Sequence, residues 1–288
     1  MNSWSGTVSE CHGHIILDGV AYVGAVARHQ SGVDEAFVRR NLETCARHGI
    51  KFYRDGGDKH MVSVFAKKIS GEYGIDYRTP AYIIHKRGYY GGMFGRAFDS
   101  MAEYRGLVDE AKRLDADFIK ITASGMLDFS HGGDVTGPSL TADELSKMVE
   151  IAHSEGFAVM VHANGPNNIK RAAESGVDSI EHGFYMDAEA LRIIAQTGAV
   201  WTPTCATVSN LIETGKYDDS VLQKILKTHK SALIAAQSIG VPIACGSDAG
   251  ASCVPQGSGT RDELDILNDL GIDPGPGNQR IAEKFKKS

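Results

Sequence analysis

Several features that define other protein classes are absent from this 288-residue sequence. Its five cysteines are odd in number, scattered and free of Cys-x-x-Cys spacing, which fits reduced thiols better than a disulfide framework. No apolar run approaches the ~18 to 20 residues that a membrane helix needs. The opening residues have neither the basic nor the apolar region of a secretory signal. We therefore expect a cytoplasmic protein that does not enter a membrane.

An excess of positive charge is also absent. The chain has 30 lysines and arginines against 36 aspartates and glutamates, which gives a formal net charge of −6. This balance argues against nucleic acid or an anionic membrane as the main partner. No Gly-x-Gly-x-x-Gly turn follows an early strand, which disfavours a doubly wound dinucleotide-binding sheet. A small-molecule substrate is the expected partner.

The sequence does contain a regular alternation of short apolar runs, rich in β-branched residues, with longer amphipathic stretches. Eight runs are predicted to be strands: 8–17, 50–54, 81–85, 117–121, 157–162, 178–182, 199–203 and 241–245. Strands alternating with helices predict an α/β fold. A doubly wound sheet shares this pattern, but eight even repeats and a typical barrel size of ~250 residues favour a single (β/α)8 TIM barrel. We predict one domain over residues 1–288, ending in a turn and tail at 273–288.

Two histidines, His12 and His14, flank a glycine within the first predicted strand. Side chains alternate with period two along a strand, so both rings point to the same side. Such a pair can form half of a metal site. A pair of partly buried polar residues beside a strand is the alternative that this spacing alone leaves open.

Four further ionisable residues end other predicted strands: Lys120, His162, His182 and Asp248. A barrel brings the carboxyl ends of all its strands to one face, so these side chains should converge with the histidine pair. Histidine and aspartate ligands suit Zn²⁺, Mn²⁺ or Fe²⁺. A neutral lysine could react with CO₂ to form a carbamate that bridges two metals. A lysine paired with a nearby carboxylate is the alternative.

Five ordered motifs carry a family resemblance: His12-Gly13-His14, Phe118-Ile119-Lys120-Ile121, Val161-His162-Ala163, Ile180-Glu181-His182-Gly183 and Gly246-Ser247-Asp248-Ala249-Gly250. Together they resemble the metal-dependent amidohydrolase superfamily, and most closely its imidazolonepropionase-like and Xaa-Pro dipeptidase-like branch. Tyr53-Arg54-Asp55-Gly56-Gly57 is similar to the Arg-Asp-x-Gly signature of that branch. The resemblance extends over nearly the whole chain.

The resemblance implies six metal ligands: His12, His14, Lys120, His162, His182 and Asp248. His12 and His14 would hold one metal, and His162 and His182 would hold a second. A carboxylated Lys120 would bridge the two. Two zinc ions are expected, with manganese or iron as alternatives. Members of this branch usually carry a small β-sandwich, and only a few residues precede the first predicted strand here. We expect the sandwich to be missing, and the surface it would cover could form a homo-oligomer.

The predicted function is metal-dependent hydrolysis of a carbon–nitrogen bond in an amide, cyclic amide or dipeptide. A hydroxide bridging the metals would attack the carbonyl, because bound cations lower its pKa from 15.7 to about 7. Asp248 would pass the proton to the leaving nitrogen. Three residues in or beside the loops after the strands are candidate substrate contacts: His85, Tyr89 and His131. Arg87 could bind a substrate carboxylate.

Three alternatives stay open to different degrees. A metal-dependent lactonase or esterase would use the same ligands on a carbon–oxygen bond. A mononuclear deaminase would lack the bridging Lys120, so this lysine counts against it. A truncated, non-catalytic binding subunit is disfavoured by retention of the full ligand set.

Overall fold

Parallel strand pairing organises the computed structural model, which describes residues 8–130, 132 and 135–287. Its nine strands are β1 Val8–Gly13, β2 Ile50–Asp55, β3 Asp76–Arg78, β4 Ile83–Lys86, β5 Arg96–Phe98, β6 Ile119–Thr122, β7 Val159–Ala163, β8 Ser179–His182 and β9 Val200–Thr202. They form one sheet of order β1-β2-β3 and another of order β5-β4-β6-β7-β8-β9. Neighbouring strands in both sheets run parallel. The predicted α/β fold with parallel sheets is confirmed.

Helices occupy most of the connections between strands. They are α1 Tyr22–Ala27, α2 Glu35–Arg47, α3 Val62–Ile69, α4 Met101–Arg113, α5 Ala142–Ser154, α6 Pro166–Glu174, α7 Ala188–Thr197, α8 Ala206–Ser209, α9 Asp219–Ser238, α10 Ser258–Asp269 and α11 Gly275–Lys284. Local chemistry sets several boundaries; α5, for example, begins at a capping box between Thr141 and Glu144. None of these helices is long and apolar enough to cross a membrane.

The third predicted strand, 81–85, differs from the observed arrangement. The structure forms a short strand β3 before it and begins β4 two residues later, at Ile83. Between them Ala81 has a φ of 65°, a left-handed conformation that interrupts a strand. As a result β3 pairs with β2, whereas β4 pairs with β6.

The eighth predicted strand, 241–245, is present as a bridge rather than a full strand in the described chain. Ile243 forms a parallel bridge with Trp201 of β9. On the other side, the amide of Cys11 in β1 donates to the carbonyl of Cys245 over 2.8 Å. The segment that leads to Asp248 therefore lies between β9 and β1.

A C-terminal helix covers the end of the sheets at which the strands begin. Ile281 of α11 and Phe285 directly after it are fully buried against Phe118, which precedes β6, and other apolar side chains. The Phe285 ring centroid lies 4.5 Å from the Arg54 guanidinium carbon, a cation–π contact. This end of the interior is closed, so the opposite end is where the strands present their polar side chains.

Candidate metal centre

All six predicted ligands line one cavity. They are His12, His14, Lys120, His162, His182 and Asp248. Ligand atoms of His12, His182 and Asp248 lie within 4.8 Å of one another. The ring centroids of His162 and His182 are 4.5 Å apart. Residues separated by more than 230 positions in sequence thus form one cluster.

Backbone conformation directs two of these side chains. His182 ends β8 with a φ of 66°, and Asp248 has a φ of 61°. Residues other than glycine rarely adopt this left-handed region, which costs on the order of 1 to 3 kcal/mol. The Asp248 amide also donates to the His12 carbonyl over 2.6 Å, which fixes the aspartate beside β1.

The tautomer of His12 follows from its neighbours. Its Nδ1 lies 2.7 Å from Glu181 Oε2, and Arg54 Nη2 donates to both oxygens of that carboxylate over 2.9 Å. Nδ1 must therefore carry the proton, which leaves Nε2 with a free lone pair. That lone pair is 3.7 Å from Asp248 Oδ1, and His14 Nε2 is 3.4 Å from the same oxygen. Electron-pair donors that face one another in this way fit a bound cation.

The other two histidines are oriented by oxygen acceptors. His162 Nε2 donates to the Gly125 carbonyl over 2.9 Å, so its Nδ1 carries the free lone pair. His182 Nδ1 lies 2.8 Å from the Thr204 hydroxyl, which leaves Nε2 for a ligand. Burial lowers the pKa of His162 to about 4, so this ring is neutral and able to bind a metal.

Lys120 has the least satisfied side chain of the cluster. It is 2% exposed, and its Nζ has no hydrogen-bond partner among the described residues. Burial lowers the pKa of this amine to about 8, which increases the fraction of neutral, nucleophilic amine. A buried unpaired amine beside four imidazoles fits a carbamate whose oxygens ligate cations. The donor set therefore suits a divalent metal centre.

Two cavities meet above these ligands. The first lobe has a volume of about 370 Å³, and the residues that line it include the apolar Leu17, Ile83 and Phe94. The second lobe, of about 340 Å³, extends past Leu127 and Phe184. Seven residues line both lobes: Tyr22, Tyr90, Met126, His162, His182, Asp248 and Ala251. The two lobes thus form one cleft with the candidate ligands at its centre.

The predicted substrate contacts have different positions. Tyr89 lines the first lobe. His85 is buried with its Nδ1 3.0 Å from the Lys86 carbonyl, outside the residues that line either lobe. Arg87 is exposed and paired with Asp99 over 2.6 Å. His131 lies outside the described residues.

Sequence reasoning missed the charged residues that support the ligands. Glu181 holds His12, and Arg54 holds Glu181. Glu10, also fully buried, accepts hydrogen bonds from the amides of His12 and Ser247. Each of these residues is of a charged type and lies within a predicted strand, a signal that could have singled them out because buried charges need partners.

Comparison with known proteins identifies the family of this chain. Residues 30–268 match the Amidohydrolase family, and the chain therefore belongs to this family of hydrolases, as the motifs predicted. An ochratoxinase of Aspergillus niger is 26% identical over 205 residues, which are 69% of this chain and 41% of that protein. The chain spans about two fifths of the length of the curated relatives it matches.

Solved structures share the fold. A Xaa-Pro dipeptidase superposes with a TM-score of 0.73 at 21% identity, covering 99% of this chain and 77% of the other. The A. niger ochratoxinase structure gives 0.74 at 20% identity, with 96% and 69% covered. These likenesses extend the family assignment to the arrangement of strands and helices.

Proposed function

We propose that this chain is a divalent-metal-dependent hydrolase that cleaves a carbon–nitrogen bond of amide or peptide type. The observation that carries the proposal is the convergence of His12, His182 and Asp248 around an unpaired, buried Lys120 amine. Membership of the amidohydrolase family supports the class of bond. The same class of reaction is consistent with the names of its relatives, an ochratoxinase and a Xaa-Pro dipeptidase.

Closure of the two sheets into a (β/α)8 barrel is part of the proposal. Two junctions support it. The segment around Ile243 bonds to β9 on one side and to β1 on the other. At the second junction, β3 and β4 follow each other in the chain and pair with different sheets. We further propose that residues 1–288 form one domain around this barrel.

The proposed centre holds two cations, most simply zinc. His12 and His14 with Asp248 would hold one, and His162 with His182 the other, while a carboxylated Lys120 ligates both. A cation bound there would lower the pKa of a water molecule from 15.7 to about 7 and polarise the substrate carbonyl. The free lone pairs on the histidine rings and the unpaired lysine amine support this assignment.

The role proposed for Asp248 is proton transfer. Its side chain is 19% exposed, whereas that of His12 is 1% exposed, so the carboxylate reaches into the cleft from the ligand cluster. It lines both lobes and can therefore meet a group on either side of the bond that breaks. A carboxylate in this position accepts a proton from the attacking water and donates it to the leaving nitrogen.

Metal analysis combined with Asp248→Asn tests the proposal. Chelation should abolish hydrolysis of a panel of N-acyl amino acids, dipeptides, cyclic amides, neutral amides and lactones, and about two equivalents of Zn²⁺ should restore it. Asp248→Asn should retain the cations but lower kcat on the order of 10³-fold, the range for a lost general acid–base. Lack of stoichiometric metal, or near-normal kcat in the variant, would overturn the proposal. If the enzyme cleaved only the lactones, the bond that it hydrolyses would be a carbon–oxygen ester bond and not an amide.

A further inference from the structure

The walls of the cleft are apolar on both sides of the candidate ligands. Leu17, Ile83 and Phe94 line the first lobe, and Leu127 and Phe184 line the second. Each lobe has a volume in the range of pockets that hold small molecules. The two halves of a substrate can therefore occupy separate apolar lobes while the bond between them lies over the ligands.

Positive charge is scarce along the same walls. Apart from the site histidines, Lys120 is the one cationic side chain among the described residues that line the two lobes, and it is buried at the ligand cluster. Two acidic residues, Asp128 and Asp248, also line the second lobe. A carboxylate on the substrate would lose its hydration here without gaining a cationic partner away from the centre.

Three lysines that contact residues lining the lobes already have partners. Lys59 Nζ donates to the Gly92 carbonyl over 2.8 Å, and Lys86 pairs with Glu144. Lys216 Nζ donates to the Ser252 hydroxyl over 2.7 Å. None of the three lines either lobe, and the charge of Lys86 is already paired with a carboxylate.

Apolar side chains of the cleft are also exposed to solvent. The exposed apolar residues that line the lobes include Met93, Met126 and Tyr217. Val20 and Val23 are 73% and 75% exposed and are close in sequence to Tyr22, which lines both lobes. Exposed apolar surface that lines a cleft is typical of a binding site for apolar ligands.

We infer that the substrate is an electrically neutral amide with an apolar group on each side of the scissile bond, rather than a dipeptide or N-acyl amino acid with a free carboxylate. This inference rests on the proposed function. In the reaction the hydroxyl of water bonds to the carbonyl carbon, the C–N bond breaks, and the nitrogen gains a proton. The products are a carboxylate and an amine, and the apolar walls favour release of the charged acid.

A matched pair of substrates tests the inference. N-(2-phenylethyl)benzamide and N-benzoyl-L-phenylalanine share the same skeleton and differ by one carboxylate. The zinc-loaded enzyme should cleave the neutral amide with a kcat/KM on the order of 100-fold higher, since the carboxylate would be left without a partner. Calorimetric binding of both compounds to metal-loaded Asp248→Asn measures the same preference without turnover.

Met126→Arg introduces a cation at one of the residues that line both lobes, where the side chain is 50% exposed and should tolerate the change. Met126→Arg should lower the ratio of kcat/KM for the neutral amide to kcat/KM for the carboxylate compound at least ~10-fold. The neutral control Met126→Gln and the variant Lys216→Met, which lies outside the lobes, should leave this ratio unchanged. Equal or better cleavage or binding of the carboxylate compound by the unmodified enzyme would overturn the inference and leave the proposed function intact. Failure of the metal-loaded enzyme to cleave any amide of the panel would overturn both.

Discussion

Arg54 and Lys120 are both cationic and both buried in the interior of the strands, but their surroundings are opposite. Arg54 is fully buried and donates to the Cys11 carbonyl, the Ser179 hydroxyl and the Glu181 carboxylate over 2.6 to 2.9 Å. Lys120, at 2% exposure, has an amine with no hydrogen-bond partner in the described structure. One region is a completed network, and the other has room for a further chemical group.

The difference separates a structural charge from a functional one. A buried charge with all its donors bonded specifies one arrangement of the interior, while an unpaired one costs free energy unless something else occupies the site. The two regions meet at Glu181, which bonds to Arg54 on one side and to His12 on the other. The rigid region thereby orients a ligand of the open one.

The largest effect is expected from Lys120→Met. The variant should lose on the order of 10³-fold in kcat/KM, because several kcal/mol of metal-assisted stabilisation depend on the bridging group. Without metal, its free energy of unfolding should equal or exceed that of the unmodified chain, since an unpaired amine is replaced by an apolar group of similar length. Urea unfolding of the metal-free proteins and steady-state kinetics measure the two quantities. If Lys120→Met were strongly destabilised, Lys120 would be a structural charge like Arg54.

Arg54→Met, in contrast to Lys120→Met, should strongly lower the free energy of unfolding. Loss of this side chain leaves the buried Glu181 carboxylate without its cation, which typically costs ~3 to 5 kcal/mol. Urea unfolding of the metal-free variant should show this loss, with Lys120→Met as the matched control in the same interior. Arg54→Lys, which keeps the charge, should recover part of the free energy of unfolding that Arg54→Met loses. A loss below ~1 kcal/mol would remove the distinction between the two cations.

Glu263 offers a smaller, pH-dependent test, because it is only half satisfied. One carboxylate oxygen accepts from the Ala206 amide over 2.7 Å, and the other has no partner in the described chain. Burial raises the pKa of this group to about 8, so the folded state binds a proton that the unfolded state releases above about 4.5. Its contribution to stability is therefore present below that pH and lost as pH rises towards 8.

Glu263→Gln should accordingly be more stable than the unmodified chain at pH 8, by on the order of 1 to 3 kcal/mol. The advantage should shrink as the pH falls towards 4.5, where the glutamate itself is protonated. Thermal unfolding across this range measures the difference. A constant difference at every pH would show that the carboxylate is ionised in the folded protein.

Sequence reasoning succeeded where one local pattern determines the outcome. Apolar runs predicted most strands, and the positions of the histidines along them predicted that these side chains lie together in one cavity, because strand geometry converts spacing into direction. It failed for β3, whose three residues include two charged ones, Asp76 and Arg78. It also missed the bond from Arg54 to Glu181, 127 residues apart, since such pairings exist only once the sheet has formed.

Local sequence patterns could not predict which side chains line the cleft, for a related reason. Tyr89 and Met126 stand in loops, where no periodicity fixes the direction of a side chain. His85 belongs to β4 as predicted, but the contacts that bury it come from a loop around Gly91 and Gly95. Loop packing decided in both cases which side chain faces the cavity.

The position of β1 between β2 and the segment that leads to Asp248 sets an order on how the centre is assembled. The ribosome delivers His12 and His14 first, but Glu10 in the same strand bonds to Ser247, 237 residues later. This contact cannot form before Ser247 has been synthesised. A chain stalled before Ser247 would therefore present two histidines without all of the neighbours that orient them.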